Sequence, residues 1–298
     1  MKFYIVDAFT DKLFGGNPAG VVILGDAGFP DDETMRLTAA ELRYSETAFI
    51  RQTGKEEFHI RYFTPAAEVD LCGHATIGAF FALADAGLVR FGTSCVNHTL
   101  AGSLNIVLTE DSVLMDMAVP QAIRTISEPA AIRELYAVMG VSAEKQGEIL
   151  TGEKAGATLI PELISTGLPD IMMPVRSEAE LAAISPDFPA LSRLSERYEA
   201  VGVHAFTVNT EDGTVHCRNF APLYDIDEEA ATGTSNGALT YYLYKNGLLK
   251  EGTDNLFVQG EAMNRPSRIR SRLTAGNGGV RIQVGGTAVV LAKGEIYL

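Results

Sequence analysis

The sequence predicts an α+β protein of two pseudo-symmetric halves, each a curled, largely antiparallel sheet or barrel around a central helix. Three observations carry this prediction. The first is an internal repeat. Ala48 and Ala205 stand 157 residues apart, as do Phe49 and Phe206, Arg61 and Arg218, Phe63 and Phe220, and Pro65 and Pro222. Three inserted residues then move the spacing to 160, where Gly73 meets Gly233, Leu83 meets Leu243, Gly87 meets Gly247 and Leu88 meets Leu248. A register kept over about 40 residues with one insertion marks a duplicated unit. The second observation is a hairpin in each copy: "TAFIRQ" and "EFHIRYF" flank the turn "TGKEE", and "HAFTVN" and "TVHCRNF" flank "EDG". The third is the segment that follows each proline, a run of small residues opening an apolar helix.

Taken in order, "FYIVDAF" and "AGVVIL" read as strands, and Asn17-Pro18 between them reads as a turn. "DDETMRLTAAEL" has helical spacing behind an acidic start. After the first hairpin, "GHATIGAFFALADAGL" sets Ile77, Phe80, Phe81 and Ala84 at helical intervals, and Gly87 stands where a left-handed residue ends a helix. "SLNIVLTEDSVLMDM" then gives two strands, and the join between the halves falls near "AVPQAIRT", dividing the chain into 1–118 and 119–298. In the second half "AAIRELYAVMG" and "SEAELAAI" read as helices, and "GATLI", "ISTG" and "DIMMPV" as strands. "GTSNGALTYYLYKNGLL" repeats the central helix with Leu239, Tyr242 and Leu243. "GGVRIQVGGTAVVLAKGEIYL" closes the chain as strands, the last of which can return to the first half.

Composition narrows the function. Apolar residues make up 46 % and charged residues 21 % of 298, ordinary for a globular protein. The net charge is −14, from 38 acidic and 24 basic residues with no basic cluster, so nucleic acid and anionic membranes are repelled. No apolar run reaches the roughly 18 residues of a membrane span. The opening "MKFYIVDAFTDKLFGG" lacks the pattern of a secretory leader, and three separated cysteines make no disulfide framework, which together predict a reducing cytoplasm. A small molecule is the expected partner.

The two helix starts, 72–76 and 232–236, are the candidate site. Helix N-termini present N–H groups and partial positive charge, and the small residues Gly73, Ala75, Gly233 and Ser235 admit a ligand close to the backbone. A carboxylate, and an enolate-like charge beside it, suits such a place. "GGNPAG" has neither the spacing nor the lysine of a nucleotide loop. Five scattered histidines lack zinc spacing, so no metal is expected. Asp227, Glu228 and Glu229 read as a solvated acidic turn, and Cys95 and Cys217 as core residues of strands. Glu46 has no counterpart in the repeat, where Val203 occupies its place, so the shared architecture does not require it.

"GNPAGVV" (16–22), "SETAF" (45–49), "RYFTPAAEVDLCGHAT" (61–76), "STGLPD" (165–170), "ATGTSNGAL" (231–239) and "QGEAMNRPS" (259–267) resemble the PhzF-like (phenazine biosynthesis-like) proteins, of the diaminopimelate-epimerase fold. The resemblance implies an active site between the halves, cofactor-independent proton shuffling on small carboxylate-bearing metabolites, and a homodimer. It implies Glu46 as the catalytic acid/base and His74 as the active-site histidine, with Asn17, Cys72, Gly73, Glu229, Thr232, Gly233 and Thr234 binding substrate. The family's Asp-Pro-Ala-Thr-Gly-Ser pattern reads "EAATGT" here, so Glu229 replaces an aspartate, Ala230 a proline and Thr234 a serine. Paired cysteines serve the racemases of this fold, but Thr232 stands opposite Cys72. Three readings stay open: an isomerase using Glu46, whose pKa burial is expected to raise; a binding member without catalysis; and a lyase using Cys72.

Overall fold

The strand "KFYIVDA", exposed at Lys2 and buried from Val6 to Ala8, starts the first sheet. The computed structural model describes residues 1–25, 28–141, 150–151, 158–276 and 279–298, and the chain divides into two units, 1–116 with 285–298 and 117–284. In unit 1, β1 (Lys2–Ala8) pairs antiparallel with β2 (Asn17–Ile23), so Asn17 opens a strand rather than lying in the expected turn. The turn lies upstream, where Gly16 takes φ +62 with no room for a side chain beside the Ala8 carbonyl. Helix α1 (Asp32–Leu42) begins on Asp31, whose carboxylate accepts from Thr34 N at 2.9 Å. It lays Met35 and Ala39 against Val22, Phe49 and Phe63.

Next, β3 (Thr47–Gln52) pairs parallel with β2 and antiparallel with β4 (Glu57–Phe63), which β5 (Glu68–Val69) flanks. Helix α2 (Gly73–Asp85) is buried nearly all round, as its apolar sequence requires, and touches β1, β2 and β3. The unit continues with β6 (Ser94–Thr99), β7 (Gly102–Leu108) and β8 (Val113–Asp116), with β6 parallel to β4 and the rest antiparallel.

Unit 2 opens with β9 (Gln121–Thr125), α3 (Pro129–Val138), β10 (Leu150–Thr151) and β11 (Thr158–Leu159); Gly156 and Ala157 of the expected strand lie outside the described residues. β12 (Glu162–Ser165) and β13 (Pro169–Pro174) follow, then α4 (Glu178–Ala182) and α5 (Phe188–Tyr198). β13 runs parallel to β14 (Gly202–Thr207), which pairs antiparallel with β15 (Val215–Ala221). Leu135 of α3, its C-cap Met139, and Leu191 and Leu194 of α5 pack on Ile171, Met173, Val203 and Phe220 of this sheet. The acidic run 227–229 is not a solvated turn: it forms β16 (Ile226–Glu229) beside β15. Helix α6 (Gly233–Lys245) is as buried as α2 and touches β12, β13 and β18 (Ser267–Gly276), which pairs with β17 (Asp254–Gln259). β19 (Gly279–Gly286) leads to β20 (Ala288–Glu295), which pairs with β1 in unit 1.

The repeat is visible element by element. α2 and α6 each span 13 residues at the 160 spacing, with β17 parallel to β15 as β6 is to β4. The hairpins differ by one residue of register: Thr47 faces Phe63, whereas His204 faces Asn219. Each copy keeps an arginine clamp. Arg61 grips Glu68 at 2.7 and 2.5 Å over the Phe63 ring, and Arg218 grips Glu228 at 2.8 Å over Phe220. Among the described residues no helix is long and apolar enough to cross a membrane.

Candidate active site

Within unit 1, the lead-in to β3 and the start of α2 bring four of the expected residues together. Glu46 immediately precedes β3; Cys72 is the N-cap of α2, and His74 lies in its first turn. Glu46 Oε2 is 3.2 Å from His74 Nε2, an ion-pair contact and not an aligned hydrogen bond. Ser45 Oγ is 3.3 Å from the same nitrogen; Nδ1 lies 3.2 Å from Asn17 Nδ2 and 3.4 Å from Cys72 Sγ. The helix start is held from behind: Thr76 Oγ1 donates to the Cys72 carbonyl at 2.7 Å and contacts Tyr62 OH, which accepts from Asn97 Nδ2.

The electrostatics reverse one expectation. Burial pushes the Glu46 carboxyl up, but His74, with Ser45 and Cys72, more than offsets it and leaves the pKa below 4.5. Burial likewise pulls the His74 imidazole down, while Cys72 and Glu46 carry it well above 6.5. The upward shift expected for Glu46 is therefore wrong in sign, because burial alone does not include an imidazole at contact distance. Each group thus favours the charged form of the other. Burial, and then the Glu46 charge, push the Cys72 thiol up to about 11, so it stays protonated near neutral pH. That opposes a lyase using Cys72 thiolate as base.

Neither Cys72 nor Thr232 caps its helix through its side chain, and neither first turn carries an acidic residue. The positive end of each helix is thus uncompensated by its own sequence.

Within unit 2, the remaining expected residues gather at the α6 start. Glu229 Oε2 accepts from Thr232 Oγ1 at 2.8 Å, and Thr166 Oγ1 donates to the Thr234 carbonyl at 2.8 Å. Gln259 organises the turn: its amide donates to Glu229 O at 2.7 Å and accepts from Thr232 N and Asn236 Nδ2. Asn236 Nδ2 also donates to the Thr232 carbonyl at 2.9 Å, as Thr76 does to that of Cys72. Behind this turn runs a buried polar chain in which Ser235 Oγ donates to Asp170 Oδ2 at 2.5 Å and accepts from Asn219 Nδ2, itself 3.2 Å from His204 Nδ1. Ser45, Asp170 and Gln259 lie in the family-like segments but are not among the expected site residues. Their signal was adjacency to Glu46 and to the repeat, which does not reveal a bond formed across the fold.

An α+β fold of this kind, with a carboxylate, an imidazole and a thiol at a helix start, defines an isomerase-class enzyme on the epimerase-like scaffold, and the comparisons agree. The sequence profile of the phenazine biosynthesis-like proteins (PhzC-PhzF) matches residues 6–294, and the chain belongs to that family. It is 31 % identical to the uncharacterized isomerase YddE of Escherichia coli, over 99 % of this chain and 97 % of that protein. It is 27 % identical to the trans-2,3-dihydro-3-hydroxyanthranilate isomerase of Pseudomonas aeruginosa, over 100 % and 99 %. A crystal structure of a PhzF-family protein from Bacillus anthracis superposes with a TM-score of 0.85 at 27 % identity, covering 100 % and 99 % of the two chains.

Proposed function

We propose that the protein is a cofactor-independent isomerase that moves a proton between carbons of a small carboxylate-bearing metabolite, with Glu46 as the proton-transferring group. The contact between Glu46 and the buried His74 is the observation that carries this reading. A carboxylate kept ionised beside the His74 imidazole can take a proton from a carbon next to a substrate carboxylate. The electron pair left behind delocalises into that carboxylate, where the positive end of α2 favours it. Glu46, its proton exchanged with solvent in the meantime, then protonates another carbon, which completes an isomerisation with no net atom gained or lost. Ser45 and Asn17 hold the imidazole in place. Glu229, Thr232, Gly233 and Thr234 are assigned to holding substrate polar groups. A homodimer in a reducing cytoplasm completes the proposal; the three buried unpaired cysteines suit that compartment.

The test is turnover in deuterium oxide, read by mass spectrometry on small amino and hydroxy acids and on trans-2,3-dihydro-3-hydroxyanthranilate, the compound in the name of the Pseudomonas relative. One deuterium at carbon is expected, with Glu46→Gln lowering the rate about 10²–10⁴-fold. A Gln variant that kept most of its rate would overturn the assignment of Glu46. A protein that binds these compounds without exchange would be a binding member of the family.

A further inference from the structure

The two ring nitrogens of His74 meet opposite kinds of group. At Nδ1 stands the Asn17 amide nitrogen, 3.2 Å away, an atom that can only donate. Cys72 Sγ lies beside the ring, 3.4 Å from Nδ1 and 3.8 Å from Nε2, and as a thiol it is a weak acceptor. At Nε2 stand oxygens: Ser45 Oγ at 3.3 Å and, off the bond axis, Glu46 Oε2 at 3.2 Å. An ionised carboxylate has no proton to give. A ring proton is therefore matched at Nε2 and mismatched at Nδ1.

We infer that Asn17 is a positioning residue that selects the tautomer of His74: its amide donates to Nδ1, which confines the single ring proton to Nε2, beside Ser45 and Glu46. The local structure holds Asn17 firmly enough for this task. It opens β2 opposite Ala8, follows a Gly16 whose φ of +62 leaves no room for a side chain, and is 6 % exposed. The ring chemistry also settles which way the amide points, since its oxygen would repel the unprotonated Nδ1 lone pair. A second ring proton would have to enter at Nδ1, against that donor. Burial opposes it too, as does the positive end of α2, in whose first turn the ring lies. Glu46 pulls the other way. Cys72 adds its charge to that pull only as a thiolate, and its thiol is held at about 11. The Asn17 donor tips this balance to the neutral ring. A neutral ring leaves Glu46 the stronger base, whereas an imidazolium at 3.2 Å would weaken its hold on a substrate proton. That consequence rests on the proposed role of Glu46; the tautomer itself does not.

The test reads the ring directly and needs no substrate. Nitrogen-15 correlations of the imidazoles distinguish the Nε2–H tautomer, the Nδ1–H tautomer and the imidazolium, and the signal lost in His74→Gln identifies His74 among the five histidines. At about pH 8 the native protein should show an unprotonated Nδ1 and a protonated Nε2. Asn17→Asp puts an acceptor and a charge where the donor was. Its ring should take the second proton and retain it at about tenfold lower proton concentration than the native ring does. A native ring found as Nδ1–H or as imidazolium overturns the inference, and so does an Asn17→Asp ring that titrates like the native one. Should the aspartate variant not fold, the native spectrum still decides. In the deuterium assay Asn17→Asp should lower kcat by up to about tenfold near neutral pH with little change in KM, and recover as pH rises and the ring loses its second proton. A loss that persists at every pH overturns the catalytic consequence. A Glu46→Gln variant that keeps its rate while the native ring is Nε2–H would refute the role of Glu46 and leave the tautomer assignment standing.

Discussion

Replacing Asp170 by asparagine should make the protein more stable relative to the native chain as pH rises. Asp170 begins the β13–β14 pairing opposite Gly202 and is 2 % exposed. One carboxyl oxygen accepts from Ser235, and Oδ1 has no partner among the described residues. Burial pushes the carboxyl up from 3.8 to about 6, against the lowering effect of Ser235 and the Gly202 amide. A folded-state pKa raised above the unfolded one gives stability that is present in full below 3.8 and is lost as pH rises through about 6. The whole gap corresponds to about 3 kcal/mol. Integrated over protonation, the native chain carries a deficit of about 1 kcal/mol at pH 4.5 and about 3 kcal/mol at pH 7.5. Asparagine keeps the shape and an acceptor for Ser235 but does not titrate here, so its own packing cost is independent of pH. The assay is urea unfolding of both chains from pH 4.5 to 7.5, with the difference plotted against pH. Groups titrating equally in both cancel. The difference should move by about 2 kcal/mol in favour of the variant; a flat or opposite profile would refute the argument that Asp170 is buried without adequate compensation.

Two further outcomes follow from the same physics. Arg218→Met should destabilise the fold by about 3–5 kcal/mol, because it strands Glu228 and removes the donor to the Leu181 and Ile184 carbonyls at the end of α4; denaturant midpoints measure it. Cys72→Ala should lower turnover by less than about tenfold, against the 10²–10⁴-fold expected for Glu46→Gln, since a thiol held at about 11 is a poor proton acceptor; a loss as large as that of the glutamine variant would restore thiol chemistry.

What could be read from sequence was what recurs locally. Gly73 and Gly233 announced equivalent helices because the apolar residues behind them keep one spacing in both copies. Helix α5 is not among the expected elements; its Pro189 suits the first turn, where Asp187 caps the helix through Ala190 N. Glu228 looked solvated because its partner Arg218 lies ten positions back, across a strand pair that only the fold creates. Glu46 was legible as an asymmetry in the repeat. Its charge state was not, since the nearby His74 belongs to another element 28 positions on, and distance across a fold has no local signature.

The twin arginine clamps carry a hereditary consequence. A gene doubled in tandem keeps in each copy whatever fixes the frame, and here the retained set is Arg61 with Phe63 and Glu68, and Arg218 with Phe220 and Glu228. Cys72 and His74 correspond to Thr232 and Thr234 at the same repeat positions, so the two helix starts differ in chemistry while their helices keep the same length. Selection can therefore act on the two kinds of position separately. A mutational library confined to 229, 232 and 234 should yield mostly folded chains with altered substrate preference, whereas one confined to 61, 68, 218 and 228 should yield mostly chains that fail to accumulate.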